Sequence, residues 1–356
     1  MAASDRMNDL LTAPGPGNTD VRHTRRRRRG RGFVAGIVVG ALLLVGGGGV
    51  AAFYGVRMSL DGNVERFDAF SEVDPETRPA VPVAEGPTAP VNILVLGSDS
   101  RISAGDPTAW EAGAQRTDAI MLVHLAADRK SAAAISIPRD SWVPIPGYGE
   151  AKINAAFSYG GPALMIQTVE DLTGVRIDHF AVTDFESFTT LTDSLDGVEI
   201  TVPDGDGGSV EQTMTGEEAL DFARERYSLP NGDFGRVQRQ QAWMRAIMAK
   251  ARDSISEPVK MAGFLEAVTK SVAVDQDFTL DRIQELFLGA GNLSTGDVTF
   301  MTAPYAGTDR SADGQSIVVL DRAAFDPLME AVVKDELPAF MAANPGVADT
   351  LPTVVR

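Results

Sequence analysis

The residues able to do chemistry crowd into one stretch, Arg116–Asn154, which reads RTDAIMLVHLAADRKSAAAISIPRDSWVPIPGYGEAKIN. Arg116 and Asp118 precede or open the apolar run Ala119–Leu125, and Arg139 and Asp140 follow the apolar run Ala132–Ile137. Each run is strand-length. The link Ala126–Ser131 is too short for a parallel crossover, so the runs predict an antiparallel pair. In such a pair, the start of the first strand and the end of the second share one sheet edge. Upstream, Val91–Leu96 predicts a buried strand ending in Gly97-Ser98-Asp99-Ser100-Arg101. A loop over Ile102–Gln115 that returns to the same edge brings Asp99, Arg101, Arg116, Asp118 and Arg139 together. Two carboxylates among guanidiniums suit a hard divalent cation, Mg²⁺ or Mn²⁺, and the oxygens of a phosphate.

A second group of cations lies more than eighty residues on. Thr215-Gly216-Glu217-Glu218 is a capping box that starts a helix through Leu220 and Phe222 to Arg224, Glu225 and Arg226. Arg224 and Arg226, two apart, share a ligand only near a frayed helix end. Pro230-Asn231-Gly232 breaks the chain just beyond them. Asp233 then caps another helix, on which Arg236, Arg239 and Gln240 occupy one face beside an apolar stripe of Val237, Met244, Ile247 and Met248.

Around these groups the pattern predicts a helix over Pro162–Leu172, a strand over Phe180–Thr183, a helix over Phe185–Ser194 and a strand over Val198–Val202. That alternation signals βαβ crossovers, hence an α/β fold with a mixed central sheet covered by helices on both faces. Helices are further expected near Met261–Val274, Leu280–Ala290 and Ala323–Lys334, and strands at Val298–Thr302 and Ile317–Leu320.

The 356 residues are 44% hydrophobic and 23% charged, with no cysteine, which excludes disulfides, thiol catalysis and Cys-bound zinc. His23, His124 and His179 are far apart and form no ligand-spaced cluster. There is no P-loop and no His-activated serine. The net charge of −17 is uneven: residues 1–55 hold eight arginines against three acids, leaving −22 on the rest. So acidic a domain repels nucleic acid, and any anionic substrate must be held by a focused arginine cluster.

Phe33–Tyr54 is an uncharged, largely apolar run long enough to span a bilayer, and RRRRRGR before it keeps the N-terminus in the cytoplasm. The expected organisation is a cytoplasmic basic tail over 1–32, one transmembrane helix over 33–54 and a stalk over 55–90. That stalk has a short helix near Val64–Phe70 and a Pro-rich spacer. An extracytoplasmic catalytic domain over 91–335 and a loosely attached tail over 336–356 follow.

The order of GSDSR, RTD, IPRD, KINAAF and RER…DFGRVQRQQ resembles the LytR-CpsA-Psr family of cell-wall glycopolymer transferases, from about Val91 to the helix containing Lys250. The resemblance implies a single-pass membrane protein with an α/β/α domain outside. A hydrophobic pocket between sheet and helices would hold a polyprenyl chain. It implies a polyprenyl-pyrophosphate-linked glycopolymer as donor and a peptidoglycan sugar hydroxyl as acceptor. Teichoic acid, arabinogalactan or capsule would thereby be attached to the wall. Carried over by motif, Asp99 and Asp118 are the metal-associated acids, and Arg116, Arg139, Lys152, Arg224, Arg226, Arg236 and Gln240 surround the pyrophosphate. Arg101 joins them from the sheet edge and Arg239 from the helix face. Asp118, Arg116 and Arg139 stand nearest the reaction, and either Asp118 or Asp99 takes the acceptor's proton. Two other readings stay open. The same site suits hydrolysis of the lipid pyrophosphate, and some relatives are named as regulators of envelope gene expression. Against the latter, the N-terminal tail has no helix-turn-helix pattern.

Overall fold

A computed structural model describes residues 64–81, 88–98, 117–225, 232–253, 257–269, 273–290 and 293–356. In chain order the first half comprises β1 (Glu65–Phe67), β2 (Val91–Ser98), β3 (Thr117–Leu125), β4 (Ala132–Ile137), β5 (Trp142–Ile145), β6 (Gly149–Lys152), α1 (Asn154–Thr173), β7 (His179–Asp184), α2 (Phe185–Ser194), β8 (Val198–Pro203) and β9 (Ser209–Met214). The second half comprises α3 (Gly216–Arg224), α4 (Asp233–Asp253), α5 (Pro258–Thr269), β10 (Ala273–Asp275), α6 (Leu280–Gly289), β11 (Val298–Thr302), β12 (Tyr305–Arg310), β13 (Ser316–Leu320), α7 (Arg322–Val333), α8 (Leu337–Ala343) and β14 (Asp349–Thr350).

Eight strands form one mixed sheet in the order β1-β10-β7-β2-β3-β4-β11-β14. The expected antiparallel pair is present, with Ile120 opposite Ile137 and Leu125 opposite Ala132. β2 runs antiparallel to β3 and parallel to β7. Alternation along β2 divides the interior. Ile93 and Val95 pack with Trp243, Met244 and Ile247 of α4, whereas Leu94 and Leu96 pack with Ile166 and Val169 of α1 and Leu328 of α7. Both faces of the sheet are therefore covered by helices, as expected of strands whose two sides are both apolar. α1 ends where Gly174 takes a left-handed conformation and its N–H reaches the Glu170 carbonyl.

Three expectations need correction. Residues 64–81 do not stand off as stalk: Glu65–Phe67 is a strand paired with β10, and Val64, Phe67 and Val73 are buried. The Arg78 guanidinium grips the buried Glu170 carboxylate at 2.7–3.1 Å, and Arg176 donates to the Pro79 carbonyl at 2.9 Å. The segment is too short for a helix with its own apolar face, and the open edge of β10 offers it partners. Secondly, the last residues are not loosely held. β14 pairs with β11, Val355 is fully buried, and Arg245 donates to the Pro352 and Thr353 carbonyls at 3.1 and 3.3 Å. Thirdly, the helix expected to run to Val274 stops at Thr269, and Ala273–Asp275 enters the sheet as β10. β-Branched Val274 between two core-facing neighbours suits a pleated strand better than a helix end. The predicted tail over 1–32, the span over 33–54 and most of the spacer lie outside the described residues. Among the described residues no helix is long and apolar enough to cross a membrane.

Candidate functional site

β2 and β4 both finish, and β3 begins, at one pole of the sheet. There Ser98 pairs with Thr117 and Ile120 with Ile137. Pro138 ends β4 because it offers no N–H to the ladder, and Ser141 N–H closes a turn on the Pro138 carbonyl at 2.9 Å. The chain returning through the β5–β6 hairpin fixes this turn: Ile153 donates to the Ser141 carbonyl at 2.8 Å and Asn154 to the Arg139 carbonyl at 3.2 Å. Arg139 is thus held by its backbone on both sides, with its side chain directed at Asp118.

Arg139 Nη1 donates to Asp118 Oδ1, and its Nη2 to Asp233 Oδ2 at 3.4 Å. Arg236, one turn along α4, reaches the same Asp233 oxygen at 3.3 Å. Burial of the Arg139 guanidinium works against its charge, but Asp118 and Asp233 outweigh that, so it is held charged more firmly than usual. Among the described residues, its buried Nε has no hydrogen-bond partner. A donor left over on a buried cation is what an incoming oxyanion uses.

These residues rim a cleft between the sheet and α4. Arg236 and Gln240, one turn apart, project from α4 into it, with Val237, Trp243 and Met244 behind them; Met121 of β3, on the sheet face that packs against α4, closes the opposite wall. The rim is charged and the depth is apolar. Phe234 shuts one side, its ring stacked on that of Tyr305 with 3.9 Å between centroids, which ties the first turn of α4 to β12.

Of the residues singled out from sequence, Asp118, Arg139, Arg236 and Gln240 meet in this cleft. Lys152 stands at its edge, paired through Nζ with Asp140 at 3.2 Å, and Asp140 lines the cleft. Asp99, Arg101, Arg116 and Arg226 lie outside the described residues. Arg224, the last residue of α3, is exposed and does not line the cleft. Arg239 points elsewhere: it donates to the Phe222 carbonyl at 3.1 Å and the Arg356 carbonyl at 2.8 Å and stacks on the Phe222 ring. Adjacent positions on a helix diverge by about 100°, so Arg239 and Gln240 serve different faces. Asp233 is the residue missed. Read from sequence as a helix cap, it is the carboxylate that joins both arginines; its spacing of three from Arg236 was the available signal.

The Asp118 carboxylate, in contact with the cleft, is a donor of the right kind for Mg²⁺ or Mn²⁺. Mg²⁺ is commonly held by one or two carboxylates, with substrate phosphates and water completing its shell. Among the described residues no group of three or more acids or histidines is placed to hold a metal on protein ligands alone.

A model of the LytR_cpsA_psr family matches residues 61–334. The chain belongs to the LytR-CpsA-Psr family. Among curated LytR-CpsA-Psr relatives, the cell wall biosynthesis protein LcpA of Corynebacterium glutamicum is 32% identical over 285 residues, covering 67% of this chain and 54% of LcpA. The regulatory protein MsrR of Staphylococcus aureus is 32% identical over 245 residues, covering 64% of this chain and 70% of MsrR. This chain spans about half the length of LcpA and of the probable cell wall biosynthesis protein LcpB, at 54% and 52%. Among solved structures, TagT bound to LI-WTA superposes with a TM-score of 0.55 at 25% identity, covering 74% of this chain and 98% of TagT.

Proposed function

We propose that this protein is a membrane-tethered phosphotransferase that moves a glycopolymer from a polyprenyl-pyrophosphate carrier to a sugar hydroxyl of peptidoglycan. One observation carries the reading: the cleft joins a guanidinium rim to an apolar interior in a single opening. A lipid pyrophosphate has that same division, two phosphates on a hydrocarbon chain. Arg139 and Arg236 would hold the phosphates, and Trp243, Met244 and Met121 the first isoprene units.

In the reaction, the acceptor's hydroxyl oxygen forms a bond to the phosphorus nearest the glycopolymer. The bond from that phosphorus to the bridging oxygen breaks, polyprenyl phosphate leaves with the electron pair, and the hydroxyl proton passes to a carboxylate, Asp118 or Asp99. Phosphoryl transfer asks little covalent work of the protein, so positioning and charge compensation carry the rate. Asp118, with Asp99, would hold the divalent cation, whose contribution is to neutralise charge on the pyrophosphate. The hydrophobic run 33–54 with arginines ahead of it supports one membrane span and a catalytic domain outside, close to a donor that stays in the bilayer.

The test incubates the full chain in detergent with a polyprenyl-pyrophosphate glycan and peptidoglycan, with and without chelator. Polymer covalently attached to peptidoglycan, dependent on Mg²⁺ or Mn²⁺, is the expected product. Free phosphosugar in equal yield with and without peptidoglycan would make the protein a hydrolase and overturn transfer.

A further inference from the structure

An exposed aromatic pair sits at the tip of the β5–β6 hairpin, whose base reaches the cleft through the Lys152–Asp140 ion pair, and takes no part in the cleft. The β5–β6 hairpin turns through Pro146-Gly147-Tyr148-Gly149, with Gly147 and Gly149 at φ 79° and 77°, conformations that favour glycine. Tyr148 is thereby presented at the tip. Its ring stacks on Tyr159 of α1 at 4.7 Å between centroids and 21° between planes. Packing the hairpin onto the helix would bury such rings; instead Tyr148 is 56% and Tyr159 42% exposed. Large aromatic area left in water on a folded surface marks a place where something docks.

The surroundings select the chemistry. Residues 154–169, NAAFSYGGPALMIQTV, contain no charged side chain, although the protein carries −17 overall. On the hairpin, Glu150 accepts from Trp142 Nε1 at 3.2 Å and Lys152 is turned to Asp140. A polyanion or an anionic bilayer finds no cationic anchor on the hairpin tip. A neutral sugar needs none, because its C–H faces pack on aromatic rings and its hydroxyls and N-acetyl groups meet phenol oxygens. The hairpin also sets the reach. From Gly149 to Lys152, at the cleft edge, is roughly 10 Å at about 3.3 Å per residue, the span of a short oligosaccharide.

We propose that the Tyr148–Tyr159 stack is the acceptor platform, holding a neutral N-acetylated sugar of the glycan strand while a neighbouring sugar hydroxyl enters the cleft. This rests on the transferase reading above for its purpose, but its binding chemistry can be measured without catalysis. The probes are chitotetraose in titration calorimetry, sacculi stripped of anionic polymer in co-sedimentation, and vesicles of phosphatidylglycerol. For the full chain, Tyr148→Ala combined with Tyr159→Ala is expected to weaken chitotetraose binding at least tenfold. It should raise the acceptor KM by a similar factor and leave kcat and lipid-pyrophosphate affinity unchanged. Tyr148→Phe, which keeps the ring, should bind within about twofold of the wild type. Glycan binding unchanged in the double Ala variant, no glycan binding by the wild type, or loss of vesicle binding alone would each overturn the platform. Glycan binding that depends on the tyrosines, in a protein that transfers nothing, would support the platform while sinking the transferase reading.

Discussion

Asp233, in the first turn of α4, accepts a hydrogen bond at 3.4 Å from Arg139, which lies 94 residues earlier at the end of β4. The same carboxylate oxygen receives Arg236 at 3.3 Å. The cationic side of the cleft is therefore an alternating chain, Asp118–Arg139–Asp233–Arg236, rather than a cluster of repelling guanidiniums. The arginines are held in place by carboxylates, and under the proposed function an incoming pyrophosphate would compete with these for the donors.

Arg139→Ala consequently costs both binding and stability. If the proposed function holds, loss of one charge-assisted contact worth about 1.5–3 kcal/mol is expected to lower lipid-pyrophosphate affinity about tenfold or more. The Asp118 side chain, only 10% exposed, is left without its cation, so the fold loses about 1–3 kcal/mol as well. Adding Asp118→Asn should restore part of the melting temperature but none of the binding. Thermal-shift and lipid-binding measurements on the single and double variants read the two effects separately. A melting temperature unmoved by Arg139→Ala would show the ion pair to be inert.

Arg236 and Arg239, three residues apart, should respond oppositely. Arg236→Ala is expected to weaken lipid-pyrophosphate binding at least tenfold. Arg239→Ala leaves binding near the wild-type value and lowers stability by about 1–2 kcal/mol, since its donors serve the Phe222 and Arg356 carbonyls. Side-by-side binding isotherms decide this, and equal losses of affinity would contradict the orientation of Arg239.

At the opposite pole, His124 lies between Asn92 Oδ1 at 2.8 Å and Asp335 Oδ1 at 2.9 Å, and Asp335 also accepts from the Ala127 N–H at 3.0 Å. Burial would push the Asp335 carboxyl up, but the His124 and Ala127 hydrogen bonds prevail and hold it below the ordinary carboxylate range. A depressed folded pKa means stability that is present above the unfolded value, about 3.9, and lost as pH falls through the folded one. Asp335→Asn, suited to the left-handed backbone there (φ 58°), should melt lower than the wild type at pH 7. The gap should close below about pH 4. Parallel melting curves that stay equally separated down to pH 3 would count against the linkage.

Gly216 opens α3 against α2. A Cβ there would meet the Thr189 carbonyl oxygen at 2.4 Å and its Cα at 2.5 Å, backbone atoms with no easy retreat. Gly216→Ala is expected to destabilise by about 1–3 kcal/mol, a typical overpacking cost, despite alanine's better helix propensity. A urea denaturation series measures this, and a stabilised variant would show that α2 and α3 separate freely.

Much of the site was legible because it depends on short-range pattern. The brief link Ala126–Ser131 forces β3 and β4 antiparallel, and that alone carries Asp118 and Arg139 to one edge. The period of α4 likewise aligns Arg236 and Gln240 with Trp243 and Met244. What sequence could not decide was partnership across distance. Whether Glu65–Phe67 forms a helix or a strand depends on the open edge of β10, more than two hundred residues later, and so short a segment has too little local preference to choose. Whether Arg239 serves the ligand or the fold depends on where Phe222 and Arg356 end up. Asp233 reads as a helix cap until tertiary packing sets Arg139 beside it. A charged side chain's role is fixed by which opposite charges and carbonyls come within about 3–4 Å, and only the folded chain brings those together.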